Sequence, residues 1–207
     1  LVKLFRATGE ERYRDLACYF VDERGRQPRY FDREARARGE EPNTRGATAP
    51  YDYCQAHLPV REQATAEGHA VRALYLYSGM ADVAAETNDR SLLTACRRLW
   101  RNITERRMYV IGGVGATRHG ERFTFDYDLP NETAYAETCA NIALVFFSHR
   151  MLQIERDSAY ADVMERALYN GVLSGVSLDG TRFFYDNLLA VHPDLHRFSG
   201  QKSPWRQ

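Results

Sequence analysis

The sequence predicts an all-α fold: a toroid of stacked αα-hairpins whose long rim loops carry short β-strands. Three observations point to it. Apolar residues recur at helical spacing along the chain. The helical runs come in pairs, each joined by a break of a few polar residues. The pairs are separated by long linkers rich in glycine, proline and charge.

Taken in order, Leu1, Leu4 and Phe5 start the first run, and the break "TGEE" leads into Tyr13, Leu16, Ala17, Phe20 and Val21. Ala70, Ala73, Leu74 and Tyr77 start the second pair, followed by "TNDR" and then Leu92, Ala95, Cys96, Leu99 and Trp100. Cys139, Ile142, Ala143, Phe146 and Phe147 start the third, followed by "ERDS" and then Tyr160, Val163, Met164, Ala167 and Leu168. The second member of each pair carries one apolar stripe, as an amphipathic helix does. Breaks this short force antiparallel neighbours.

A lone αα-hairpin cannot bury its apolar face, so the hairpins must stack, in an open solenoid or a closed toroid. Solenoids use short, uniform linkers. Here the linkers cover roughly residues 25–66, 107–136 and 176–207. Long loops gathered at one end of a helical ring would build a site, which favours the toroid. "RMYVIGGVGA" and "TRFFYDNLLAV" read as short rim strands. The charged, proline-broken segment from Arg24 to Pro50 reads as a long exposed loop with no site in it.

Lys+Arg and Asp+Glu both total 28, and this balance argues against a nucleic-acid binder. No apolar run is long enough to span a bilayer. Cys18, Cys54, Cys96 and Cys139 are widely spaced and read as reduced thiols, which favours the cytoplasm. The chain opens without methionine, already in helical period, and closes on "SPWRQ". Both ends are therefore expected to be cut.

The candidate chemistry lies in the linkers. Glu121 follows a glycine turn, with His119, Asp126, Asp128, Asn131 and several aromatics nearby in sequence. A carboxyl walled by aromatic rings is a setting for a general acid. Glu137 and Cys139 lie two residues apart at a helix start. They read either as a dipole-favoured Glu with a core-sized Cys, or as two metal ligands where zinc takes four. His69, after Gly68, opens a helix; it and, more weakly, His57 are candidates for contacting sugar hydroxyls. Tyr185 and Asn187 share one phase of an alternating stretch and could hydrogen-bond a substrate together. "GGVGA" lacks the lysine of a phosphate loop.

Four stretches resemble glycoside hydrolase family 127, the β-L-arabinofuranosidase family. They are "LVKLFRATGEERYRDLACYFVDERG", "QAHLPVREQATAEGHAVRALYLYSGMADVAAET", "YVIGGVGATRHGERFTFDYDLPNETAYAETCANIAL" and "RFFYDNLLA". The third is the most specific, with "GGVGA", "GERF", "DLPN" and "ETCAN" in order. The resemblance implies an (α/α)6-barrel catalytic domain and a zinc ion held by one Glu and three Cys. Glu137 and Cys139 match two of these ligands. The other two are an adjacent cysteine pair, one of which is the nucleophile. Glu121 matches the general acid/base, and His69 and Tyr185 match residues lining the sugar site.

No such cysteine pair occurs in these 207 residues. The expectation is the central part of a single catalytic barrel, without the nucleophile and without the family's C-terminal β-sandwich domains. Such a piece would be inactive alone and would bind zinc weakly or not at all. In the complete enzyme a cysteine thiolate would attack a terminal β-L-arabinofuranoside while Glu121 protonates the leaving oxygen and later activates water. Two other readings compete: a sugar epimerase using His57 and His69 as acid and base, and a non-catalytic helical scaffold.

Overall fold

The computed structural model describes residues 1–42, 51–190 and 205–206. Among them are seven α-helices, in three antiparallel pairs and one extra. The first pair is α1 (Val2–Thr8) and α2 (Glu11–Glu23). The extra helix is α3 (Tyr30–Ala37). Then come α4 (Ala70–Thr87) with α5 (Arg90–Arg106), and α6 (Thr138–Glu155) with α7 (Ser158–Arg166). A π-helical turn (Ala167–Val172) and a 3-10 turn (Leu173–Gly175) follow α7. The described residues are all-α in class, a series of helical hairpins.

One rule makes all three hairpin turns. Each first helix ends on a left-handed residue, Gly9, Asn88 or Arg156, at φ 73, 53 and 54°. An acidic residue follows as N-cap of the second helix: Glu10, Asp89 or Asp157. Asp89 accepts from Leu92 N–H at 2.9 Å and Asp157 from Ala159 N–H at 3.0 Å, while Glu10 makes no capping bond. The left-handed residue turns the chain and the cap starts it helically again.

The helices form two layers. α4 and α6 bury residues around much of their circumference, including Leu74, Tyr77, Met80, Leu144, Phe147 and Met151, and pack against each other. α5 buries one stripe, with Leu92, Cys96, Leu99 and Ile103, as an outer helix does. Tyr77 and Phe147 meet at 5.8 Å between centroids in the core. Trp100 packs edge-on against Tyr160 at 4.6 Å and donates its indole N–H to Ser148 at 2.9 Å, tying α5 and α7 to α6.

The segment read as a long exposed loop is corrected. Tyr30–Ala37 forms α3, because after Pro28 the run "YFDREARA" holds helix-forming Arg, Glu and Ala, and its Ala35 is buried. Residues 43–50 of that segment lie outside the described residues. The rim strands are shorter than the alternation predicts. "RMYVIGGVGA" contributes a single bridge, Met108 to Val114. In "TRFFYDNLLAV" only Phe183–Phe184 (β1) is a strand, paired antiparallel with Trp205–Arg206 (β2), and Val191 lies outside the described residues.

The linkers gather at one end. Buried Arg107 donates to Asp126 at 2.7 Å and to the carbonyl of Ala66 at 2.5 Å, joining the second linker to the first. Arg122 pairs with Asp52 at 2.5 Å, and Arg118 reaches Asp186 of the third linker at 2.8 Å. A small apolar cluster of Tyr109, Ala116, Ala134 and Ala136 underlies these loops. No helix among the described residues is long and apolar enough to cross a membrane. All four cysteines are free.

Candidate active site

The site forms where the N-termini of α4 and α6 meet. His69 is the N-cap of α4 and Glu137 the N-cap of α6. Two helix N-termini aimed at one place favour negative charge there. Gly68 makes the approach possible: it sits at φ 74°, and a Cβ on it would lie 2.2 Å from the carbonyl oxygen of Asp52. His69 Nδ1 accepts from the Arg72 N–H at 3.4 Å, so Nε2 carries the ring proton of the neutral form. Nε2 lies 3.0 Å from Glu121 Oε2. The Tyr53 ring stands edge-on to the imidazole at 5.7 Å.

Glu121 reaches this point on a tight turn. Arg122 N–H bonds to the Thr117 carbonyl at 3.2 Å, and Glu121 itself is left-handed at φ 50°. Its carbonyl accepts from Ala70 N–H at 2.9 Å, and Phe123 N–H donates to the Gly68 carbonyl at 3.0 Å. The turn is thereby laid along the start of α4. The Tyr135 hydroxyl donates to Glu121 Oε1 at 2.8 Å. Burial first, and then the Glu121 carboxylate, raise the Tyr135 phenol far above its ordinary value, so it remains a neutral donor.

Glu137 is 4% exposed and makes no capping bond to its own helix. Its carboxylate therefore does not serve the N–H groups of α6. Its Oε2 is buried without a hydrogen-bond partner. Cys139 is half-buried; burial first, and then the neighbouring Glu137 carboxylate, push its thiol up to about 11. Burial and the Glu137 carboxylate likewise push the Tyr185 phenol to about 12. One ligand atom each from His69, Glu121 and Glu137 lie within 4.8 Å of one another, so these three groups could hold a metal ion.

A family profile, the GH127 catalytic domain of β-L-arabinofuranosidases, matches residues 1–207. The chain belongs to the GH127 catalytic-domain family. A curated relative is the non-reducing end β-L-arabinofuranosidase of Bifidobacterium longum subsp. longum, 45% identical over 94% of this chain and 30% of its own length. The crystal structure of a GH127 β-L-arabinofuranosidase from Geobacillus stearothermophilus T6 is 59% identical with a TM-score of 0.89, over 93% of this chain and 30% of that one. A second GH127 β-arabinofuranosidase is 47% identical with a TM-score of 0.77, over 91% and 26%. The chain thus spans about a third or less of these relatives.

Within this GH127 chain the sequence-predicted residues separate into two groups. Glu121, His69, Glu137, Cys139 and Tyr185 are brought together. Asn187 is beside them but its amide is taken up by backbone and hydroxyl, donating to the Ala136 carbonyl at 2.9 Å and Thr138 Oγ1 at 3.1 Å. It fastens the segment that carries Glu137. The charged neighbours of His57 are Glu67, Asp52 and Arg29, and burial lowers its imidazole. Asp126 is held by Arg106, Arg107 and Asn102, and His119 is exposed. The company of Glu121 is instead His69 and Tyr135. Tyr135 was not singled out from the sequence; its only signal there is its place two residues before Glu137.

Proposed function

We propose that the protein containing this chain is a glycoside hydrolase releasing terminal β-L-arabinofuranose, or a related sugar, with Glu121 as general acid/base. The observation that carries this is the Glu121 carboxyl held between His69 and Tyr135, at 3.0 and 2.8 Å, beside the buried Glu137. The carboxyl of Glu121 gives its proton to the glycosidic oxygen as the bond to the sugar breaks. In the second half it takes a proton from the water that releases the sugar. One carboxyl holding both duties is the retaining arrangement, here with a cysteine thiolate expected in place of the second carboxylate. His69 and Tyr185 line the sugar site, and Asn187 keeps the Glu137 segment in place.

The residues fit a zinc ion. Glu137 offers an orphaned, buried carboxylate oxygen, and Cys139 offers a thiol against the same carboxylate. A hard oxygen and a soft sulfur at one point are zinc-type donors, with two further cysteines needed to complete the set. Zinc there would keep a neighbouring thiol in its nucleophilic, deprotonated form.

The test uses the parent protein extended through its cysteine pair. Glu121→Gln should lower kcat on an alkyl β-L-arabinofuranoside by about 10²- to 10⁴-fold. Bound zinc should stay at the wild-type level by elemental analysis, whereas Glu137→Gln should lose it. Full activity of Glu121→Gln on the alkyl glycoside sinks the acid/base assignment.

A further inference from the structure

We propose that Tyr135 is a positioning residue, whose hydroxyl sets the angle at which the Glu121 carboxyl meets the leaving oxygen. This rests on the reading of Glu121 as acid/base. Glu121 needs outside restraint. It has three side-chain torsions, sits on a left-handed turn residue at φ 50°, and its side chain is 35% exposed. Free rotation would spread its proton over many directions, and catalysis needs one.

Tyr135 can supply that restraint because it is itself fixed. It is 5% exposed. Its carbonyl accepts from Asn187 N–H at 3.0 Å, and the next N–H, of Ala136, donates to the Gly115 carbonyl at 2.8 Å. Its ring leans on Tyr185 at 6.4 Å, and its flanking residues Ala134 and Ala136 are buried in the apolar cluster under the loops. Tyr135 holds Oε1 and His69 holds Oε2, so one donor comes from the segment leading into α6 and the other from the N-cap of α4. One contact would leave the carboxyl plane free to swing about it. Two contacts, one per oxygen, fix both its place and its tilt.

A hydroxyl that merely satisfied its own burial would matter equally for every substrate. A positioning hydroxyl matters where proton donation matters. In the parent protein, Tyr135→Phe should lower kcat/KM, which reports the half-reaction in which Glu121 is the acid, about 10- to 100-fold on an alkyl β-L-arabinofuranoside. It should lose much less kcat/KM on the p-nitrophenyl glycoside, whose leaving group needs little protonation. Adding Tyr135→Phe to Glu121→Gln should cost nothing more on the alkyl glycoside, because the hydroxyl acts through Glu121. Equal loss on both glycosides, no loss on either, or a further loss in the double variant overturns the proposal. Where Glu121→Gln is crippled and Tyr135→Phe is not, only the role of Tyr135 falls. Where Glu121→Gln is itself unimpaired, the acid/base reading falls first.

Discussion

Asn141 is fully buried in the first turns of α6 and touches none of the reacting groups. Its side-chain oxygen accepts from Val114 N–H at 3.2 Å, and its amide donates to the carbonyls of Gly171 at 2.8 Å and Ala136 at 3.3 Å. It thus binds the glycine loop, the π-turn and the Tyr135–Glu137 segment to one helix. Asn141→Leu keeps the volume but leaves those backbone groups buried and unpaired. It should cost about 2–4 kcal/mol in urea unfolding, with activity of the parent protein falling too. In the sequence Asn141 closes "ETCAN" and was legible only as part of a pattern, because a buried Asn and an exposed one look alike in one sequence. Glu121, Glu137 and Cys139 were legible because their order and spacing form a recognisable set. The partners of Glu121 were not: sequence nearness pointed to Asp126 and His119, whereas the tight turn carries Glu121 back onto His69 and leaves Asp126 to Arg107.

At the scale of elements, the hairpins were readable because apolar periodicity marks each helix and a short polar break marks each turn, where the structure places a left-handed residue and an acidic cap. The caps differ in weight. Asp89 accepts from Leu92 N–H and also pairs with Arg61 at 2.7 Å, so Asp89→Ala should lose about 1–2 kcal/mol. Glu10 makes no capping bond, and Glu10→Ala should be close to neutral in the same denaturation assay. α3 escaped sequence reading for a different reason. It is only eight residues long and prolines stand on both sides, so its apolar positions are too few to repeat as they do in its neighbours. The rim strands were over-read: alternation predicted extended stretches, but the backbone there bonds mostly to loops and helix starts rather than to a strand partner.

Across the whole molecule, ionised carboxylates join separate pieces. Asp126 ties the second linker to α5, Asp89 ties α5 to the first linker through Arg61, and Glu155 ties α6 to Arg97 of α5. Burial works against each charge, but hydrogen bonds from arginine and neighbouring groups outweigh it. Asp126 is held down to about 2, and Asp89 and Glu155 are also below their ordinary values. The unfolded chain therefore binds more protons in the acid range. This stabilisation is complete above about pH 4.5, where the unfolded carboxyls are ionised, and is lost as pH falls toward 2. Urea midpoints should drop steeply across that window, and Asp126→Asn should start lower and fall less steeply. A flat midpoint from pH 5 to 2.5 would contradict this account. The bond from Asn187 to Ala136 spans 51 residues and has a consequence for the order of synthesis. The α4–α5 hairpin and Glu121 are complete long before Asn187 is made. On a ribosome, then, the core can pack early, but the segment bearing Tyr135 and Glu137 stays unfastened until residues 185–187 emerge. Glu121, Tyr135 and Glu137 are thus translated well before the residue that locks their segment in place.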